Sequence, residues 1–101
     1  MEKYIFKCFK SEFKVTLKST TYLCNKRFAA QMIDENNYPV AIITVNIDKP
    51  LSINKPNVNF VDINNLPNIE EFLVENKIAK PTGNFVLSGF CVYPEYEFDL
   101  T

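Results

Sequence analysis

Between Phe13 and Lys18 the chain alternates strictly, with Phe13, Val15 and Leu17 on one side and Lys14, Thr16 and Lys18 on the other. Side chains of a strand point to opposite faces with period two, so this run is a half-buried β-strand. The rest of the chain must supply its apolar cover, and the residues available favour more strands. Val, Ile, Phe, Tyr and Thr are plentiful while Leu and Ala are scarce, a bias toward pleated, half-buried surfaces. Tyr4 to Phe9 reads as a second, less regular strand, with Lys10-Ser11-Glu12 as a short hairpin connection. "RFAAQMID" and "VAIITVNID" read as two further strands around a turn at Asn36-Asn37 and a proline. Val40 and Ile42 would line one face of the second run, and Ala41, Ile43, Val45 and Ile47 the other. A strand covered on both faces belongs in the middle of a sheet.

Residues 48–59, with two prolines and three asparagines, read as a surface loop, and "FVDI" as a short edge strand. The period then changes. In "NNLPNIEEFLVENKIAKP", Leu66, Ile69, Phe72 and Leu73 recur at helical spacing. Asn65 is the expected N-cap and Pro67 falls in the first turn, with Glu70 and Glu71 at the positive end of the helix dipole. Asn76 or Lys77 ends the helix and Pro81 prevents its continuation. "CVYPEYEFDL" sets Tyr96, Phe98 and Leu100 against Glu95, Glu97 and Asp99, a last strand with an acidic outer face. The expectation is an α+β domain spanning residues 1–101. A mostly antiparallel sheet of about five to seven strands carries one amphipathic helix, about residues 66–77, packed on it.

A helix over residues 3–18 would gather Lys3, Lys7, Lys10, Lys14 and Lys18 into one basic stripe, suited to a membrane or to nucleic acid. Aromatic residues would then fill most of the remaining circumference, and good helix formers are nearly absent there. The strand reading is preferred.

With 47% hydrophobic and 14% aromatic residues, the chain is too apolar for a disordered tail. No stretch approaches the roughly 20 apolar residues needed to span a bilayer, and "MEKYIFKCFK" lacks a signal-peptide core. The protein is read as cytoplasmic, with no membrane partner. Three scattered cysteines, Cys8, Cys24 and Cys91, without a C-x-x-C pair fit small buried hydrophobes better than disulfides or a zinc knuckle. The chain has no histidine, which removes the main ligand of the usual zinc and iron sites and the usual base for a nucleophile. No metal, cofactor or catalytic residue is expected, and the chain is read as a non-enzyme.

"PTGNFVLSGF" at residues 81–90 holds both glycines. A Walker loop needs lysine directly after its second glycine, and a dinucleotide fingerprint needs three glycines opening a helix. Here Phe90 follows Gly89, so the glycines are read as turns. Gly83 would lead the chain out of the helix, and Gly89 would mark a bulge or bend in the last strand.

Pro39, Val40, Ala41, Thr44, Val45 and Asn46 form one motif, and Pro81, Thr82, Gly83, Ser88, Gly89 and Phe90 another, on either side of the amphipathic helix. Through them the chain resembles a domain-of-unknown-function family of small proteins from phages, plasmids and conjugative elements of Gram-positive bacteria. The resemblance spans about residues 13–98. It implies a setting, accessory genes of mobile elements, and no catalytic residues.

Charge is uneven despite a net of −1: residues 1–27 carry a surplus of five positive charges and the remainder a deficit of six. Size, charge asymmetry and the resemblance together suggest a small interaction protein. Its expected role is to inhibit a host nucleic-acid-targeting defence complex, in the manner of an anti-CRISPR, by docking on a host protein or ribonucleoprotein. The candidate docking residues are Tyr93, Glu95, Tyr96, Glu97 and Asp99, with the tyrosines as hot spots. An unpaired edge strand would also allow a homodimer. The alternative is a nucleic-acid-binding accessory or regulatory protein using Lys3, Lys7, Lys10, Lys14 and Lys18, interleaved with Tyr4, Phe6, Phe9 and Phe13 as a stacking platform.

Overall fold

A computed structural model describes residues 3–8, 11–53 and 55–99. Among the described residues, eight strands and one helix follow in the order β1 (Tyr4–Cys8), β2 (Ser11–Thr21), β3 (Phe28–Ile33), β4 (Pro39–Ile42), β5 (Thr44–Val45), β6 (Val58–Val61), α1 (Ile69–Glu75), β7 (Ala79–Ser88) and β8 (Cys91–Phe98). They form two antiparallel four-stranded sheets, ordered β1-β2-β3-β4 and β5-β6-β8-β7. The α+β expectation stands, with strands where the basic stripe of a helix was the competing reading. In β2, Val15 is buried and Leu17 packs on the core while Lys14 and Lys18 face solvent. Ser11 and Glu12, expected in the hairpin connection, instead begin β2 and pair with Cys8 and Lys7, because the ladder continues to the end of β1; Phe9 and Lys10 lie outside the described residues.

Two strand placements differ from expectation, and both reasons are non-local. The apolar run from Val40 to Ile47 is not one central strand. It breaks at Ile43, whose N–H donates to the Ala30 carbonyl on β3 and whose own carbonyl accepts from the Asp62 N–H beside β6. Ile43 thereby passes the chain from an edge of the first sheet to an edge of the second, and it is fully buried. Conversely β6, expected at an edge, lies between β5 and β8 with all four residues buried. The β3–β4 turn is as expected: Asp34 Oδ1 accepts from the N–H groups of Asn36 and Tyr38, and Asn37 takes the left-handed conformation that asparagine tolerates.

The helix is shorter than residues 66–77. Its N-cap is Asn68, not Asn65, because a residue before proline is pushed out of the helical region, and that residue here is Leu66. Asn65 instead hydrogen-bonds the Asp62 carboxylate. At the other end Asn76 is the C-cap and Lys77 has φ +57°. The Ile78 N–H reaches the Leu73 carbonyl and the Lys77 N–H that of Val74, the paired bonds of a Schellman motif. Lys77 thus makes the left-handed exit expected of Gly83.

Ile69, Phe72 and Leu73 seal the helix onto the core. Phe72 meets Tyr4 and Phe6 edge-on at centroid distances of 6.1 and 5.1 Å, and Phe28 meets Phe98 at 5.1 Å. Each such side chain taken fully from water contributes about 2 kcal/mol. Val61, Tyr96 and Phe98 complete this core from the second sheet. Residues 46–53 and 55–57 lie over that sheet's opposite face, where Val58 and Phe60 are also buried.

Candidate functional site

Glu95 faces away from the core, as the alternation of β8 requires, yet it is 0% exposed. Its cross-strand neighbour is Phe60, and the 46–57 segment covers both. One carboxylate oxygen accepts from the hydroxyls of Ser52 and Thr82. The other accepts from the Ser52 N–H at 2.8 Å and the Asn84 amide at 3.3 Å. Burial alone would push this carboxyl up, but the Ser52, Thr82 and Asn84 hydrogen bonds outweigh it and hold the carboxyl below its ordinary range. The group is an anion saturated by its own chain. It fastens the 46–57 segment to the sheet and has no lone pair left to offer a partner.

The other residues expected at a docking patch separate. Tyr96 is 2% exposed, on the core face, and its hydroxyl donates to Glu70 on α1 at 2.8 Å. Burial and that acceptor raise its pKa. Glu97 is half-buried and paired with Lys55 at 3.1 Å, and Asp99 is exposed just past the strand. Tyr93 is half-buried toward the other end of β8, where interaction with the Cys91 side chain, then burial, raises its hydroxyl pKa. Glu95 and Tyr96 are therefore not surface residues: loop 46–57 covers one and the helix the other. The acidic outer face shrinks to Glu97 and Asp99.

The lysines are brought together more fully. Register places Lys7, Lys14 and Lys18 on the solvent face of the first sheet, with exposed Lys3 just before β1. Lys10 lies outside the described residues. Glu12 lies 3.9 Å from Lys7 and Glu35 3.9 Å from Lys14, which reduces the positive field. The interleaved aromatics point the other way: Phe6 is buried and Tyr4 packs on Phe72. A strand cannot put residues of opposite parity on one face, so lysines and rings do not form a common platform. Cys24, expected inside, is exposed in the β2–β3 turn, where its sulfur accepts from the Asn46 amide.

The most distinctive surface lies elsewhere. Phe85 pairs with Pro94 and Leu87 with Val92 across the β7–β8 hairpin, on the same side as Tyr96 and Phe98. This is the core-facing side of the sheet, continued past the point where the core ends. Phe85 is 61% exposed, Leu87 62%, Val92 42%, and Phe90 at the tip fully exposed. Gly89, at φ +63°, opens the two-residue turn before Phe90, the position where a II′ hairpin needs glycine. Gly83, at φ +93°, sits inside β7 where its register with β8 shifts. The glycines therefore build one hairpin: Gly89 closes it rather than bulging the last strand. The sequence carries a signal for this surface: Pro81–Pro94, fourteen residues, is the longest uncharged run of the chain.

Among the described residues no helix is long and apolar enough to cross a membrane, and no three His, Cys, Asp or Glu side chains converge. Neither a curated protein nor a solved structure matches the chain. A family model described as a domain of unknown function (DUF4313) matches residues 16–101, taking in the second half of β2, the helix, the Glu95 centre and the whole β7–β8 hairpin, and the chain belongs to that family.

Proposed function

We propose that the protein is a non-enzymatic docking module that binds a host protein through the apolar side of the β7–β8 hairpin. The observation that carries this reading is the exposure of Phe85, Leu87, Phe90 and Val92 together on the uncharged part of the hairpin, residues 81–94. Contiguous exposed apolar surface of this kind marks interaction sites. Covering the exposed part of Phe85, Leu87 and Val92 would gain about 1 kcal/mol each and covering Phe90 about 2 kcal/mol, a sum that exceeds the lower estimates of association cost, about 4 kcal/mol. β7 is also a sheet edge, so its outward N–H and C=O groups are available for strand addition. The fitting partner has an apolar, uncharged groove beside an open strand edge. The resemblance to small proteins of mobile elements narrows the class of partner to a host complex that targets nucleic acid, which the protein would inhibit by occupying it.

Pull-down from host lysate, with and without nuclease, tests the reading when the wild type is compared with a Phe85→Ser/Leu87→Ser/Phe90→Ser variant of unchanged circular dichroism. A stoichiometric protein that survives nuclease and is absent with the variant supports docking through the hairpin. Equal capture by both proteins would overturn it, and recovery of nucleic acid alone would move the function to Lys7, Lys14 and Lys18. A dimer in analytical ultracentrifugation that the variant dissociates would assign the hairpin to a second copy of the chain.

A further inference from the structure

On the far side of the second sheet, residues 25–28 and Leu51, Lys55, Pro56 and Val58 line an open cleft of about 550 Å³. That size is typical of small-molecule sites. Three cations from two separate segments line it: Lys26, Arg27 and Lys55. No acidic side chain lines it among the described residues, although the whole chain has a net charge of −1. The accessible parts of Leu51 and Pro56, with Val58 buried behind them, give it a small apolar floor.

The walls are fixed before any ligand arrives. The Tyr22 N–H donates to the Arg27 carbonyl and the Lys26 N–H to that of Tyr22, closing the turn. The Asn25 amide donates to Asn46 across the cleft wall at 3.0 Å. Arg27 Nη1 donates to the Ile47 carbonyl at 2.7 Å, which orients a half-buried guanidinium while using only one of its five N–H donors. Lys55 is held at 3.1 Å from Glu97. Lys26 has φ +59°, a conformation that glycine adopts without strain and lysine does not.

We propose that this cleft binds a small phosphate ester with a flat apolar body, of the mononucleotide class. Arg27, its guanidinium oriented by the Ile47 carbonyl, with Lys26 on the same wall and Lys55 on the other, matches the several oxygens of a phosphate better than a lone carboxylate, and Lys55 would turn to it from its solvent-exposed pairing with Glu97. The apolar floor accepts the body. The site is independent of the exposed tip of the β7–β8 hairpin and of docking through that tip.

Amide-resolved NMR titration at about 0.15 M salt, using adenosine monophosphate and inorganic phosphate separately, tests it. The expected result is saturable shifts confined to residues 25–28, 51 and 55–58, with the nucleotide bound about tenfold more tightly than phosphate. Lys26→Gly is the decisive variant: it should raise the unfolding midpoint by relieving the left-handed lysine, yet weaken nucleotide binding about fivefold. Lys55→Gln should weaken it similarly. Absence of saturation, shifts spread over Lys7, Lys14 and Lys18, or unchanged affinity in both variants would overturn the proposal. So would equal binding of a short oligonucleotide lacking terminal phosphate, which would indicate backbone electrostatics.

Discussion

At the base of the β7–β8 hairpin, Tyr96 and Phe98 lie under the first sheet and the helix, while Glu95 on the opposite side lies under the 46–57 segment. At its tip, Leu87 and Val92 occupy the same strands, follow the same alternation and face the same side as Tyr96, yet water covers them. The two regions do not differ in hydrophobic pattern. They differ in what the rest of the chain places over them. Alternation assigns a side chain to a face, whereas cover depends on elements that are distant in sequence. The base has three such elements and the tip has none, which is why the tip is the part whose apolar surface stays uncovered.

The contrast is sharpest in stability. Phe98→Ala at the base should cost about 4 kcal/mol in denaturant unfolding, because it leaves a void beside the Phe28 ring, whose centroid lies 5.1 Å from that of Phe98. A cost below about 1 kcal/mol would show the base to be loosely packed. Glu95→Ala should cost about 3 kcal/mol, because the donors of Ser52, Thr82 and Asn84 lose their acceptor under cover.

Acid should reveal the same carboxylate. Its folded pKa is below the ordinary 4.5, so its stabilising contribution is present in full above that value and is lost as pH falls through the folded pKa. The stability gap between wild type and Glu95→Gln should therefore be constant at neutral pH and narrow in acid. A gap independent of pH would mean that Glu95 is not held as an anion.

Gly89→Ala should cost about 1 kcal/mol, since only the turn's backbone resists: at φ +63° the added Cβ meets no atom within 4 Å. Phe90→Ser should change stability by less than about 0.5 kcal/mol while removing partner capture. A large drop in stability at Phe90 would erase the distinction between tip and base.

Much of the fold was legible because much of it is local. Val15 between Lys14 and Thr16, the Asp34–Tyr38 turn, and Ile69, Phe72 and Leu73 at helical spacing each specify their element from near neighbours. Helix boundaries moved by a few residues because Pro67 restricts Leu66, and because Lys77 could make a left-handed exit that glycine usually makes. The site was less legible. Tyr96 reads equally as an interface anchor or a core tyrosine until Glu70 is found beside its hydroxyl. Glu95 reads as a solvated acid until Ser52, forty-three positions earlier, is found to cap it.

By itself, then, the sequence determined which residues share a face, where the chain turns and which segment is helical, since φ/ψ preference and side-chain period act over a few residues. Only the tertiary structure decided that Ile43 hands the chain between two sheets, that β6 lies inside one, and that Glu95 is buried while Phe90 is bare. Those outcomes depend on contacts made after loop closure, where packing and hydrogen-bond satisfaction, rather than local preference, select among faces of equal hydrophobicity.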